Sequence, residues 1–283
     1  MGRLKKGDEM TQLSDGERAE FQDLIRGFYA DRGRDFPWRS TRDPYAILVS
    51  EIMLQQTGTG RVLPKYEEFL SRFPRIGDLA AAELSEVYPV WRGLGYNRRA
   101  KALRDTAVRI SDERGGIVPA DPEVLMTYPG IGRATSRSIP VFAYNRPLVF
   151  IETNIRRVFL HRFFPEQSGV SDNRIFPLIE ETLDYADPRS WYYGLMDYGV
   201  HLGKILPNPN RRSAHYSVQK PFRGSNREVR GALLEILTEK GGQSKEALYG
   251  NLPFSRDRID SASRELAAEG LITEGGGIYE LGP

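Results

Sequence analysis

Two neighbouring stretches of this chain are equipped for chemistry: Tyr128-Pro129-Gly130-Ile131-Gly132-Arg133, and Ile151-Glu152-Thr153-Asn154-Ile155-Arg156-Arg157, whose carboxylate follows Gly130 by 22 positions. A Pro-Gly-x-Gly turn between two helical segments bares backbone amides. Its glycines permit positive φ and close approach of a phosphate. The helix that follows aims its free N–H groups and the positive end of its dipole at the same anion. The apolar run 147–151 then delivers the carboxylate of Glu152. A phosphate cradle beside a carboxylate points to chemistry on nucleic acid rather than binding alone. An ordinary helix–helix turn also reads Pro-Gly-x-Gly, so the rest of the chain has to decide.

The elements around these stretches are helical almost throughout. Phe21, Leu24, Ile25 and Phe28 share a helical face. Residues 45–56 carry Ile47, Leu48, Ile52 and Leu54 behind Pro44, a helix-starting residue. Val62, Tyr66, Phe69, Leu70 and Phe73 form a stripe that Pro74 ends. Helices are expected over 79–91 and 98–110, joined by Gly93-Leu94-Gly95. Asp121-Pro122 opens a short helix ending near Tyr128. Further helices are expected over 133–144, 154–163, 172–185 and 189–203. Beyond 225 the pattern changes: three helices (228–237, 245–249, 256–269) precede 271–274 and 278–281, a two-strand ribbon around Gly275-Gly276-Gly277. That is a winged-helix outline.

Composition bounds the partners. The 283 residues suffice for two domains, or two and a small appendage. With 40% hydrophobic residues the chain can bury a core, and a net charge of +2 requires any nucleic-acid affinity to come from local patches. One patch runs over 204–230, with seven Lys or Arg (204, 211, 212, 220, 223, 227, 230) against Glu228 alone. A solvated face reads the same way. The interleaved Asn208, Asn210, Ser213, His215 and Tyr216 favour a loop that tracks phosphates. The chain holds no cysteine, which excludes disulfides, thiolate metal sites and Cys-ligated iron–sulfur clusters. His161, His201 and His215 show no metal-ligand spacing, so no metal site is expected. No apolar run reaches the roughly 18 residues of a membrane span, and residues 1–6 lack a signal-peptide core. The expected location is the cytoplasm, at the nucleoid if the source is bacterial.

Several further stretches, together covering roughly residues 20–205, carry a resemblance. They are Phe36-Pro37-Trp38-Arg39, Ser50-Glu51-Ile52-Met53-Leu54-Gln55-Gln56-Thr57, Trp91-Arg92-Gly93-Leu94-Gly95-Tyr96, the hairpin 129–133, Glu152 to Val158, and Met196-Asp197-Tyr198-Gly199. In these the chain resembles the helix-hairpin-helix (HhH-GPD) DNA glycosylase superfamily, and most of all its MutY-type adenine glycosylases. The resemblance implies an all-α, two-lobed body over 1–205, with 20–45 and 150–205 in one lobe and 46–149 in the other. A basic linker (206–225) and the winged-helix-like domain (226–283) follow.

Base excision breaks the bond between C1′ and a base nitrogen. The sugar develops oxocarbenium charge, and the base leaves more readily when protonated; two carboxylates in unlike environments serve both needs. Glu51, on an apolar helix, is the expected general acid, since burial favours its protonated form. The resemblance makes it the glutamate that protonates adenine. Glu152 stands where the superfamily carries an aspartate that stabilises the sugar cation and assists water, and Asn154 orients that group. Gln55 and Gln56 match the wedge inserted into the vacated stack. Trp38 and Arg39 match pocket positions, although a core aromatic would read like Trp38. Asp197 matches an acid near the adenine. Tyr96, Asn97, Gly130, Gly132, Arg133, Arg156, Arg211, Arg212, His215 and Tyr216 are expected to contact DNA. The whole scheme has one nucleotide settle between the acids at 51 and 152.

Three departures qualify the match. Ala134 stands where strand-cleaving relatives carry the lysine that attacks C1′, so a monofunctional enzyme is expected. The four cluster cysteines are missing, so no cofactor is expected beyond a monovalent cation of the kind such hairpins often hold. Asn97 replaces the tyrosine that reads 8-oxoguanine, and a winged-helix-like tail replaces the nudix-type domain. The expected substrate is double-stranded DNA, bound by a monomer, with adenine opposite 8-oxoguanine or guanine excised. Removal of mismatched thymine or uracil, or of another modified base, stays open. So does a non-catalytic lesion sensor, which Glu at 152 would permit.

Overall fold

The computed structural model describes residues 12–218 and 221–282; the readings above on residues 1–6 and on Lys220 lie outside them. The body is all-α, as expected, and two compact units share it. One takes residues 1–44, 120–123 and 132–218, the other 45–119, 124–131 and 219–283. Their border crosses the hairpin between Ile131 and Gly132.

The first unit contains α1 (Asp15–Arg32), α2 (Pro37–Ser40), α9 (Thr135–Tyr144), α10 (Thr153–Phe163), α11 (Asp172–Thr182), α12 (Pro188–Ile205) and a short 3-10 turn (Pro209–Arg212). Helix α1 starts at a capping box, in which Ser14 accepts from the Glu17 amide and Glu17 from the Ser14 amide. The core is aromatic: Phe21 meets Phe159, Phe163 and Trp191 edge-on at 5.2–5.8 Å. Leu24, placed by periodicity on the same face, is 42% exposed. Helix α9 belongs here because Phe142 stacks on Tyr193 of α12 at 4.5 Å and meets Phe150 edge-on. Residues from 209 onward, expected to lie in a linker, are partly built into this unit. The Asn210 amide donates to the Thr153 carbonyl at 3.1 Å, and Val170 bridges Ser213 in parallel.

The second unit holds α3 (Pro44–Leu54; Pro44 itself falls in the first unit), α4 (Thr59–Arg72), α5 (Ile76–Ala81), α6 (Leu84–Trp91) and α7 (Arg98–Arg114). The single helix expected over 79–91 is two helices. Glu83 sits extended between them as the cap of α6, its amide donating to Glu86 at 3.2 Å. The short α8 (Pro122–Leu125) crosses the border of the units. After residue 225 come α13 (Asn226–Lys240), β1 (Gln243–Ser244), α14 (Lys245–Asn251), α15 (Arg256–Ala268), β2 (Ile272–Gly275) and β3 (Ile278–Leu281). The expected ribbon is present, with Thr273 opposite Glu280. Gly276 and Gly277, both at positive φ, make the two-residue turn that a twisted ribbon favours. Strand β1, too short to show in the pattern, completes a sheet of order β1-β3-β2.

One buried guanidinium organises the loops of the second unit. Arg99 of α7 donates to the carbonyls of Ile52, Met53 and Gln55 at 2.6–2.9 Å, to the Thr57 hydroxyl at 3.0 Å and to the Gly95 carbonyl at 3.1 Å. It thereby satisfies the last carbonyls of α3, which have no partner within the helix. The same group fixes the loop between α6 and α7. Burial pushes its pKa down to about 10. A lysine ammonium cannot span this fan of acceptors. Arg99→Lys is expected to lower stability by about 2–4 kcal/mol, read from the denaturation midpoint. An unchanged midpoint would remove Arg99 from its organising role.

Candidate active site

Glu152 is delivered by an extended segment locked from one side. The Tyr192 ring stacks on Phe150 at 4.1 Å, and its hydroxyl donates to the Leu148 carbonyl at 2.9 Å. Glu152 then becomes the N-cap of α10. Its Oε1 accepts from the amides of Asn154 (2.8 Å) and Ile155 (2.9 Å), and its Oε2 from the Asn154 side chain (3.2 Å). Aspartate is a preferred residue at such a cap. The extra methylene of glutamate lets the carboxylate curl back onto the same amides, so the longer side chain still holds its oxygens at the start of the helix.

A second layer fixes Asn154. Arg157 donates to the Asn154 carbonyl oxygen Oδ1 at 2.9 Å and to the Gly199 carbonyl at 2.7 Å. Helices α10 and α12 approach closely here: a Cβ at Gly199 would lie 2.3 Å from the Asn154 backbone oxygen. That contact explains the glycine of Met196-Asp197-Tyr198-Gly199. Arg157 received no role from the sequence; its i, i+3 spacing from Asn154 was the available signal. Burial pushes the Glu152 carboxyl above the usual carboxylate range, against the opposing pull of the Asn154 and Ile155 amides and the Arg156 and Arg157 charges. Burial likewise lowers Arg157.

Asp197 is the centre of an ion-pair knot. It accepts from the Arg34 amide and Nε at 2.8 and 2.7 Å, and from both terminal nitrogens of Arg39 at 2.8 and 2.9 Å. Burial alone would raise its carboxyl; the hydrogen bonds and charges of Arg39 and Arg34 carry it below the usual value. Arg39 also lies over the Tyr193 ring at 4.3 Å. Trp38 is buried and stacked on Phe36 at 4.7 Å. In the structure Trp38, Arg39 and Asp197 thus build the packing that carries the segment 34–40.

The first unit also contains a cavity of about 350 Å³. Arg133, Ala134, Arg137, Arg156 and His215 line it, over a floor of Val149, Phe150 and Ile151. Arg156 pairs bidentately with Asp172 at 2.7 Å, while exposed Arg133 lies over the Phe176 ring. The cavity therefore joins the residue after the hairpin, the residue before Glu152 and a histidine from the basic stretch. Arg211 and Tyr216 are exposed nearby in sequence, and Arg212 donates to the Pro165 carbonyl.

In the second unit, Glu51 sits partly buried on α3 next to buried Ser50 and Ile52. Gln55, just past the helix end, donates to the Gly130 carbonyl at 3.0 Å, and Gln56 is exposed at φ +55°. Gly130 needs to be glycine twice over, with φ +74° and a Cβ that would fall 2.9 Å from the Ala102 methyl. Gly132 has neither constraint; its contribution is open space above the helix start. Tyr96 is held at φ +52°, and Asn97 starts α7 without a side-chain capping bond. Among the described residues, no group of three or more His, Cys, Asp or Glu forms a metal site, and no helix is long and apolar enough to cross a membrane.

The raised Glu152 carboxyl has a thermodynamic signature. The folded chain holds this proton more tightly than the unfolded chain, so stability declines as pH rises from the ordinary value of about 4.3 through the raised one. Glu152→Gln removes that decline. Its melting temperature is expected to gain on the parent's as pH rises above the ordinary carboxylate value of about 4.3. A gap that stays constant with pH would contradict the raised value.

The model of the HhH-GPD superfamily base excision DNA repair proteins matches residues 49–174. An adenine DNA glycosylase of Mycolicibacterium smegmatis is 33% identical over 270 residues, covering 89% of this chain and 90% of the relative. A thymine/uracil-DNA glycosylase of Methanothermobacter thermautotrophicus is 30% identical over 195 residues, covering 68% and 88%. The match to an adenine DNA glycosylase of Mycobacterium tuberculosis, at 42% identity, spans 47% of this chain and only 44% of that protein. The solved structure of a thermostable thymine-DNA glycosylase superposes with a TM-score of 0.58 at 28% identity, over 64% of this chain and 85% of that one. With a relative of this identity aligned nearly end to end, and with the hairpin and its capped glutamate in place, the chain belongs to the HhH-GPD superfamily of base excision DNA repair proteins.

Proposed function

We propose that this protein is a monofunctional DNA glycosylase that extrudes one mispaired or damaged base from duplex DNA and hydrolyses its N-glycosidic bond. The observation that carries the reading is the capped carboxylate of Glu152. Two backbone amides, one side-chain amide and a supporting arginine hold its oxygens in place at the start of α10. A fixed anion of this kind stabilises positive charge that develops at C1′, without reorganising at the moment of reaction.

The reaction runs as acid-assisted hydrolysis. Glu51 gives a proton to the departing base, and the C1′–N electron pair leaves with it. The Glu152 carboxylate stabilises the resulting oxocarbenium ion. Water adds to C1′, and its proton passes to the carboxylate or to solvent, leaving an abasic site. Ala134 offers no amine for a Schiff base, so the strand stays intact. The exposed Arg133 and the arginine-lined cavity supply cationic surface for the backbone. The chain acts as a monomer on DNA in the cytoplasm, at the nucleoid if the source is bacterial.

Adenine opposite 8-oxoguanine or guanine is the preferred substrate, because the adenine-glycosylase relative aligns over most of the chain. Thymine or uracil opposite guanine is the second reading, supported by the thymine/uracil relative and the thymine-glycosylase structure. Duplexes carrying one altered base each, scored after alkali under single turnover, separate the two. Release of adenine is the expected result, and release of pyrimidine alone would favour the second reading. Protein that binds the lesions but frees no base would be a sensor instead. Glu51→Gln is expected to slow release about 100-fold or more while duplex binding persists. Ala134 predicts no borohydride-trapped complex; strong trapping at the rate of base release would overturn the monofunctional assignment.

A further inference from the structure

The C-terminal module grips the loop between α6 and α7. Arg92, before the loop, pairs with Glu235 and Glu239 of α13. Arg98, after it, pairs with Glu269 at the end of α15, and Glu269 also takes Arg230 of α13. Burial alone would raise the Glu269 carboxyl, but hydrogen bonds from Arg230 and Arg98 hold it down at about 2. Arg227 of α13 donates to the Tyr96 hydroxyl at 3.3 Å.

This loop is an unusual piece of backbone. Gly93, Gly95 and Tyr96 all have positive φ, a conformation that strains a tyrosine. Arg99 holds it from within through the Gly95 carbonyl and lies 5.3 Å from the Tyr96 ring. The same guanidinium holds the end of α3 through the Gln55 carbonyl, and the Gln55 side chain holds Gly130 of the hairpin. Three segments thus form one hydrogen-bonded surface: the hairpin glycine, the α3 end and the Gly93–Tyr96 turn. Both loop glycines have open space where a side chain would be.

We propose that Arg227 is a positioning residue that aims the Tyr96 ring at a nucleobase of the bound duplex, so that the C-terminal module sets how the enzyme reads the base opposite the one it removes. This rests on the DNA glycosylase reading above. Arg92 and Arg98 flank the turn as the pairs that register the module on it, and Arg227 supplies the contact to the ring itself.

The test uses the full chain and duplexes with a tetrahydrofuran abasic analogue opposite 2-aminopurine, whose fluorescence reports stacking without requiring catalysis. The parent is expected to change that fluorescence on binding. Arg227→Ala and Tyr96→Phe are each expected to lose most of the change and to weaken binding about fivefold. Combining the two should add nothing further, and Arg227→Lys should restore part of the signal. Should Arg227→Ala fold poorly, Tyr96→Phe, which removes only the acceptor hydroxyl, carries the same comparison. Variants that bind and report like the parent would overturn the proposal. A parallel release assay on mispaired duplexes keeps the two questions apart: no base freed by the parent sinks the glycosylase reading, while the fluorescence still decides the role of Arg227.

Discussion

A carboxylate drawn out of water has to be held by donors, and at Glu152 those donors are the amides that open a helix. Everything around that group serves the requirement. Tyr192 fixes the extended segment that brings it in, Asn154 closes over its second oxygen, and Arg157 braces Asn154 against the α12 backbone. Gly199 stands where α10 and α12 come too close for a side chain. The cost of burying the charge persists as a raised carboxyl pKa. Functional sites commonly keep such costs, and the remainder of the fold offsets them.

The same rule governs two further buried charges. Asp197 takes four donors from Arg34 and Arg39, and Arg99 distributes its N–H groups over carbonyls that helix α3 and the glycine turn leave open. Both hold segments that carry residues of the family motifs. Breaking one partner of such a buried pair leaves the other uncompensated, which is more damaging than losing a surface pair.

Much of this was legible in the sequence, and for identifiable reasons. The helices follow from apolar spacing, and the ribbon from a glycine turn between short apolar runs. The hairpin follows from Pro-Gly-x-Gly, and membership of the family from Ser50-Glu51-Ile52-Met53-Leu54-Gln55-Gln56-Thr57. Features that depend on contacts between distant residues were not legible. Arg99 reads as one more basic residue on a basic helix. Nothing local separates its burial from the exposure of neighbouring Arg98. Strand β1 has two residues, too few for a pattern. Residues 209–214 look like a linker because they are polar, yet they pack through Asn210 and backbone bridging that composition does not encode. The salt bridges that tie the C-terminal module to the loop between α6 and α7 join positions more than 140 apart, such as Arg92 with Glu235 and Arg98 with Glu269.

The central claim is that Glu152 presents a fixed negative charge to a sugar that turns cationic as its base departs. Transition-state charge of this kind is mimicked by a pyrrolidine nucleotide, protonated at neutral pH, and the neutral tetrahydrofuran nucleotide is its uncharged control. Comparing the affinity of the parent protein for duplexes that differ only in this ring tests the claim most directly. The account predicts that the cationic duplex binds tighter by about tenfold or more, and that Glu152→Gln erases the difference. Equal affinity of the parent for the two duplexes would contradict it.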